Sequence, residues 1–318
     1  MYHIAIIGAG QLGSRHLQGI KLAASPLSIT VMDNNDEALK VAKDRYDVVT
    51  PIGEKSISYV TRIEDLPSQL DLVIIATGSK PRASIIKSLL AHSTVRYLVL
   101  EKVLFPVLAE YQEIAEVLNA KQVKCWINCP RRMYGLYIQL KEIIDSETPM
   151  KMVYANENWG LCCNAIHMID IFMYFTGEKE YAIDISKLND KIEDSKRDGY
   201  IEMTGTILVK TAHGHKLSLT SENNYSGLKN MTIQNGNNLI EIEESKGVWS
   251  INSVRHQYKM AFQSQLTGLL ADEILITGGC LLTPFDLSVS YHKPFIEALL
   301  EKYNELKGDN NNKVLPIT

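Results

Sequence analysis

A short apolar run, Ile4-Ala-Ile-Ile7, stops at Gly8-Ala-Gly10-Gln-Leu-Gly13, and a helical pattern from Leu12 to Ala24 follows at once. Strand, three glycines at this spacing and helix start form a unit whose backbone N–H groups converge on an anion. Gly8 makes the tight turn out of the strand. Gly10 keeps a side chain away from approaching phosphate oxygens, and Gly13 lets the helix pack close to the strand. Glycine-rich turns also arise by chance, so context decides. A second apolar run, Ser28–Met32, ends in Asp33, twenty residues beyond Gly13. An acid at that distance accepts hydrogen bonds from an adenosine ribose. Its carboxylate repels a 2′-phosphate, and Asn34 and Asn35 bring no compensating cation, so NAD is expected in preference to NADP. The competing reading of Asp33 is an N-cap for the helix opening at Asp36-Glu37-Ala38-Leu39.

At 318 residues the chain is long enough for two domains, each with its own core. The formal net charge of −4 comes with dispersed lysines and arginines, which argues against a nucleic-acid partner. No apolar stretch approaches the ~20 residues that span a bilayer, and the first residues read as a strand rather than a leader, so a cytoplasmic protein with no membrane partner is expected. Cys125, Cys129, Cys162, Cys163 and Cys280 are odd in number and lack finger spacing. They imply neither a disulfide framework nor a metal site.

Over residues 1–130 apolar strands alternate with helical patterns, the mark of a Rossmann-type, doubly wound parallel sheet in an α/β fold. Strands are expected at Ile57–Val60, Leu72–Ala76, Tyr97–Leu100 and Lys124–Asn128, with helices at Glu37–Arg45, Arg82–His92 and Ala109–Asn119. Ligands of such sheets gather at the carboxyl ends of the strands, here Gly8, Asp33, Thr77, Glu101-Lys102 and Asn128. Residues 131–318 read as an α+β domain for substrate binding and oligomerisation. It contains an apolar helix at Cys163–Phe175 and a largely antiparallel, open-faced sheet with turns at His213-Gly214 and Asn235-Gly236. That open face suits a homodimer or homotetramer. Helices at Gln263–Ile276 and Asp286–Lys307 close the chain, the last one expected to pack back on the first domain.

Four groups of residues carry candidate chemistry. Lys102, at a strand end and partly desolvated, suits proton exchange with a hydroxyl and support of a developing oxyanion; its plain alternative is an exposed strand-end lysine. His167 and Asp170 stand one helical turn apart in an apolar helix, so the acid can orient the imidazole; a buried structural pair is the alternative. Arg131 and Arg132 suit bidentate binding of a substrate carboxylate or phosphate, or simply form a basic linker. Asn156, Asn158, Trp159 and Asn164 precede or open the helix and suit hydrogen bonding to, or stacking on, a sugar ring.

Taken together, these residues resemble the Gfo/Idh/MocA oxidoreductases over essentially the whole chain. The resemblance rests on Gly8-Ala-Gly-Gln-Leu-Gly-Ser-Arg-His16, Ile75-Ala-Thr77, Glu101-Lys102, Asn128 with Arg131-Arg132, His167-x-x-Asp170, and the closing Thr283-Pro-Phe-Asp-Leu-Ser-Val-Ser-Tyr-His-Lys293. It implies a metal-free, NAD(P)-dependent dehydrogenase acting on CH–OH groups of a sugar, polyol or nucleotide-linked sugar. Lys102 and His167 would be the catalytic pair, with Asp170 supporting the histidine or touching substrate. Gly8, Gly10, Gln11, Leu12, Gly13, Asp33, Asn34, Thr77, Gly78, Glu101 and Lys102 would contact the cofactor. Arg131, Arg132, Asn158, Trp159, Asn164 and His167 would contact the substrate. The block Trp159–Asp170 is similar to that of members associated with bacterial surface-polysaccharide or nonulosonic-acid metabolism. The chain departs from the family pattern at Val103, where a proline is usual, at Gly78, again for proline, and at Cys163 and Ala165, for an acid and a glycine. Two other readings stay open: a non-catalytic NAD-binding sensor or assembly protein, and an enzyme that recycles tightly bound NAD for epimerisation or elimination.

Overall fold

A computed structural model describes residues 1–225 and 230–318. In chain order, β1 (Tyr2–Ile7), α1 (Gln11–Ile20), β2 (Leu27–Met32), α2 (Asp36–Asp47), β3 (Lys55–Val60), β4 (Gln69–Ile75), α3 (Ser79–His92), β5 (Thr94–Glu101), α4 (Leu108–Ala120) and β6 (Lys124–Asn128) come first. They are followed by α5 (Gly135–Ile143), β7 (Met150–Glu157), α6 (Leu161–Thr176), β8 (Ala182–Leu188), β9 (Glu193–Asp194), β10 (Ile201–Glu202), β11 (Gly205–Lys210) and β12 (Lys216–Glu222). The chain ends with β13 (Met231–Asn235), β14 (Asn238–Glu243), β15 (Val248–Ile251), β16 (Val254–Gln257), α7 (Gln263–Thr277), β17 (Thr283–Pro284) and α8 (Phe285–Lys307).

Two compact units form. The first comprises residues 1–105, 109–128 and 261–285. Among the described residues its sheet has the order β17-β6-β5-β4-β1-β2-β3, parallel throughout except for β17 on the β6 edge. The strand order reverses between β1 and β4, the position where ligands enter doubly wound sheets. Ile7 is level with Met32 on one side and Ile75 on the other, so Gly8, Asp33 and Thr77 emerge together at one edge. Glu101 lies directly beside Asn128 in the same way. The central strands are apolar at nearly every position, as strands buried on both faces must be.

The second unit comprises residues 106–108, 129–260 and 286–318. Its sheet runs β16-β15-β14-β13-β7-β12-β11-β8 and is antiparallel apart from the β7–β12 pair. Met152 and Tyr154 of β7, with Leu217 and Leu219 of β12, face the core. The opposite face is half-exposed and polar, with Thr206 and Thr220 joined across strands at 2.9 Å. Gly236 takes a positive φ of 56° in the β13–β14 turn, which is the turn residue's purpose there.

Residues 261–285 join the first unit, which no local pattern indicates, and α8 from Asp286 onward lies in the second. The reason is tertiary. Gly268 of α7 meets Gly19 of α1 so closely that a Cβ on Gly268 would fall 2.6 Å from the Gly19 carbonyl oxygen. Asp272 then accepts the Ala24 and Ser25 N–H groups at 2.6 and 3.0 Å, closing the end of α1. Helix α5, after Arg132, was also missed; its nine residues carry a short buried stripe, Leu136, Tyr137 and Leu140.

Candidate functional site

Each glycine of the opening turn has a distinct cause. Gly8 sits at φ +93°, and a Cβ there would lie 2.9 Å from the Thr77 backbone nitrogen. Gly13 is tighter still: its Cβ would fall 1.7 Å from the Gly8 carbonyl oxygen. Gly10 is the opposite case. It opens α1 at φ −62°, with nothing within 4 Å of an added Cβ. Packing within the protein does not require glycine there, and the first-turn N–H groups of α1 have no side-chain cap among the described residues. An external anion fits that arrangement.

Asp33 braces this turn. Its Oδ2 accepts the Ala9 N–H at 2.6 Å and its Oδ1 the Asn35 N–H at 2.9 Å. Asn35, not Asp33, caps α2, accepting from Glu37 and Ala38. Asn34 is exposed and Leu12 half-buried. Gln11 is held by a partner that went unremarked in the sequence: Arg45 of α2 donates to Gln11 Oε1 at 2.8 Å and to Ser14 Oγ at 2.5 Å. At the end of β4, Gly78 opens α3, and Thr77 Oγ1 is buried with no hydrogen-bond partner among the described residues.

Lys102 follows the most heavily anchored stretch of the first unit. Glu101 is buried and accepts from His16 Nε2 at 2.8 Å and from Asn128 Nδ2 at 2.5 Å. Burial pushes the Glu101 carboxyl up, but the hydrogen bonds and charges of His16, Asn128 and Lys102 outweigh it and leave it below the ordinary value. The His16 Nδ1 lies 3.0 Å from Thr267 Oγ1, and Asn128 also donates to Gln263 Oε1 at 2.9 Å, so α7 completes the network. On the other side, Val103, Leu104 and Phe105 are fully buried, and only Lys102 between Glu101 and Pro106 is half-buried. The Lys102–Val103 peptide is cis.

Arg82, in the first turn of α3, is also fully buried. It donates to the carbonyls of Thr77, Val103 and, at 2.8 Å, Leu104. The sequence carried a signal for it. Ser79, Arg82, Ala83, Ile86, Leu89 and Leu90 form the buried stripe of α3, and an arginine in such a stripe needs acceptors inside the protein.

In the second unit, α6 is buried at every position except Asn164, His167 and Tyr174, which share one face. His167 is therefore one of three half-buried positions on an apolar helix, with its Nδ1 buried. Asp170 does not share that exposure. Both of its carboxylate oxygens accept from Arg132, at 2.7 and 3.1 Å, with side-chain exposures of 1% and 8%. Arg131 pairs with Glu244, which also accepts from Tyr137 at 3.0 Å and Tyr154 at 3.1 Å. Burial raises the Glu244 carboxyl, but Arg131 and the tyrosine hydroxyls bring it below its ordinary value. Each guanidinium is thus matched by a carboxylate of its own unit.

Trp159 is likewise engaged, donating to the Thr220 carbonyl at 2.8 Å and lying edge-on to Tyr154. Asn164 donates to the Trp159 carbonyl at 2.8 Å, and Asn156 accepts the Glu157 N–H. Asn158 is exposed at φ 37°. Glu202 of β10, which no sequence pattern marked, accepts the Cys162 and Cys163 N–H groups at 2.8 and 3.3 Å at the start of α6. Burial raises its carboxyl above the ordinary value despite those hydrogen bonds. All five cysteines are thiols, four of them buried. Among the described residues no helix is long and apolar enough to cross a membrane.

The comparisons agree with this geometry where it is most specific. Residues 2–129 match the model of an oxidoreductase family with an NAD-binding Rossmann fold. The matched model is that of the Gfo/Idh/MocA oxidoreductases. Over nearly the whole chain the fold is shared with UDP-N-acetylglucosamine 3-dehydrogenase GnnA from Acidithiobacillus ferrooxidans, at 13% identity and a TM-score of 0.70, covering 95% of this chain and 96% of that one. It is shared equally with an Agrobacterium radiobacter oxidoreductase in complex with NAD+, L-tartaric acid and magnesium, at 14% identity and TM-score 0.69, covering 96% and 97%. A Synechocystis biliverdin reductase in complex with biliverdin and NADP+ is similar as well, at 13% identity and TM-score 0.69, covering 94% and 98%. One architecture thus carries unlike substrates, and the fold alone does not name one. No curated protein matches the chain.

Proposed function

We propose that this protein is an NAD-dependent oxidoreductase acting on a secondary CH–OH carbon of a sugar, polyol or nucleotide-linked sugar. The observation that carries the reading is one sheet edge bearing the open cradle at Gly10, the Asp33 carboxylate and the anchored Glu101-Lys102 turn. NAD fits these residues: the α1 N-terminus suits its pyrophosphate, Asp33 its adenosine ribose, and the unsatisfied Thr77 Oγ1 and Asn128 Oδ1 mark polar demand at the same edge. When bound, the nicotinamide supplies the hydride-carrying carbon. Asp33 excludes a 2′-phosphate by charge, which favours NAD over NADP.

Lys102 exchanges the hydroxyl proton and steadies the oxygen as its charge changes. His167, the imidazole on the half-buried face of α6, is the second proton-handling residue. Asp170 acts through Arg132 and sets α6 rather than touching substrate. The sugar class draws support from the nucleotide-sugar dehydrogenase among the structural relatives. The half-exposed polar sheet face supports a homo-oligomer.

The test is NADH titration by fluorescence, with NADPH alongside, on wild type and Asp33→Ala, followed by NADH-linked turnover on a panel of sugars and nucleotide sugars. NADH binding that exceeds NADPH binding, and a preference that narrows in Asp33→Ala, is expected. Lys102→Ala, His167→Ala should abolish turnover and keep NADH binding. Wild-type rates in that double variant would end the mechanism, and absence of NADH binding by the wild type would end the reading.

A further inference from the structure

Arg82 is the one fully buried arginine of the first unit, and its position makes it more than a core residue. It donates to three backbone carbonyls that come from two separate turns. Thr77 belongs to the turn at the end of β4, beside Gly78; Val103 and Leu104 follow Lys102 at the end of β5. A guanidinium is planar, stays charged at any physiological pH, and presents donors in a rigid fork. It therefore ties acceptors from different loops to one rigid group, which no apolar side chain of similar volume does. The Lys102–Phe105 segment gains a second tether from Tyr111, whose hydroxyl donates to the Phe105 carbonyl at 3.1 Å. On the other side of Lys102, its neighbour Glu101 is fixed by His16 and Asn128.

We infer that Arg82 is a positioning residue that locks the cofactor turn at Thr77 to the lysine turn at Val103 and Leu104, so that Lys102 and the bound nicotinamide end keep one mutual geometry. The inference rests on the reading of this protein as an NAD-dependent oxidoreductase. Arg82 touches neither substrate nor cofactor in this role. Its loss frees the buried Val103 and Leu104 carbonyls and the part-buried Thr77 carbonyl, which have to find other donors, and the two turns then move independently.

The experiment reads the lock through Lys102. Wild type, Arg82→Lys and Arg82→Met are acylated with a limiting amine reagent, with and without saturating NADH, and Lys102 modification is quantified by mass spectrometry across a pH series. NADH affinity is measured in parallel by fluorescence. In wild type, NADH is expected to slow Lys102 acylation by about tenfold or more, as a ligand occupying its surroundings does. In Arg82→Met, NADH affinity is expected to stay within about fivefold of wild type, because the Gly8–Gly13 turn and Asp33 are untouched, while protection of Lys102 falls below about twofold. Arg82→Lys, which keeps a cation and part of the donor set, should fall between them.

Wild-type protection in two folded variants would overturn the inference. So would failure of both variants to fold even with NADH present, which would make Arg82 a folding element. NADH binding to wild type without protection of Lys102 would overturn it while leaving the cofactor reading in place. No NADH binding by wild type would instead overturn the proposed function.

Discussion

Two glycines three residues apart should respond to the same substitution in opposite ways. Placing alanine at Gly13 puts a methyl carbon 1.7 Å from the Gly8 carbonyl oxygen and 2.8 Å from its carbon. Favourable heavy-atom separations are ~3.5–4.0 Å, so the first contact is at about half the tolerable distance. Both partners are backbone, held by β1 pairing on one side and by α1 on the other, and neither rotates away. Overpacking costs about 1–3 kcal/mol where side chains yield, so a backbone clash of this depth should cost ~3 kcal/mol or more. Urea unfolding would then show a midpoint lower by about 1 M. At Gly10 the same methyl group meets nothing within 4 Å, and φ −62° suits alanine. Stability should be unchanged or higher by ~0.4–1 kcal/mol through reduced freedom of the unfolded chain. In the proposed NAD complex, however, the methyl group occupies the approach of the pyrophosphate. The same ~1–3 kcal/mol of overpacking now falls on the complex, weakening NADH binding by about five- to hundredfold. Gly13→Ala with a wild-type midpoint would refute the packing reasoning. Gly10→Ala with wild-type NADH affinity would refute the placement of the anion.

Three further outcomes follow from buried contacts. Asp170→Asn leaves the buried Arg132 guanidinium without its countercharge and should cost ~3–5 kcal/mol in chemical denaturation; a loss under ~1 kcal/mol would mean that solvent reaches the pair. Glu101 titrates below its ordinary 4.5 in the folded protein, so its stabilisation is present above that pH and fades as pH falls through the lower folded value. Glu101→Gln should therefore be destabilised at neutral pH with a flatter acid limb in its stability profile, and parallel profiles for the two proteins would contradict the charged network. Gly268→Ala, with its Cβ 2.6 Å from the Gly19 carbonyl oxygen, should loosen α7 from α1 and raise protease cleavage within residues 261–285; unchanged cleavage would mean that the helices separate without cost.

How much was legible in the sequence varies with the range of the interaction involved. The glycine turn, the strand ends at Asp33, Thr77 and Glu101, and the alternation of the later strands are local patterns, and each stands where its period places it. Asp170 stands out in the sequence as a charge on an apolar helix, and Arg131 and Arg132 as a basic pair, but their partners do not. Asp170 is thirty-eight residues from Arg132, and Glu244 is 113 from Arg131. No spacing rule connects such pairs. Arg82 left a fainter trace, a charge inside an apolar stripe, whose meaning depends on carbonyls from two other loops. Glu202 left none, because a carboxylate that caps a helix from a distant strand looks like any surface acid.

By itself, then, the sequence determined the order of strands and helices, the tight glycine turn after the first strand, and the acid at the end of the second, since short-range sterics and periodicity decide these. Tertiary structure decided which charges are committed to one another, why α7 returns to the first unit, and how Lys102 is held. The physical reason is that burial makes every polar group find a partner, and where that partner comes from is set by the folded path of the chain rather than by neighbours in sequence.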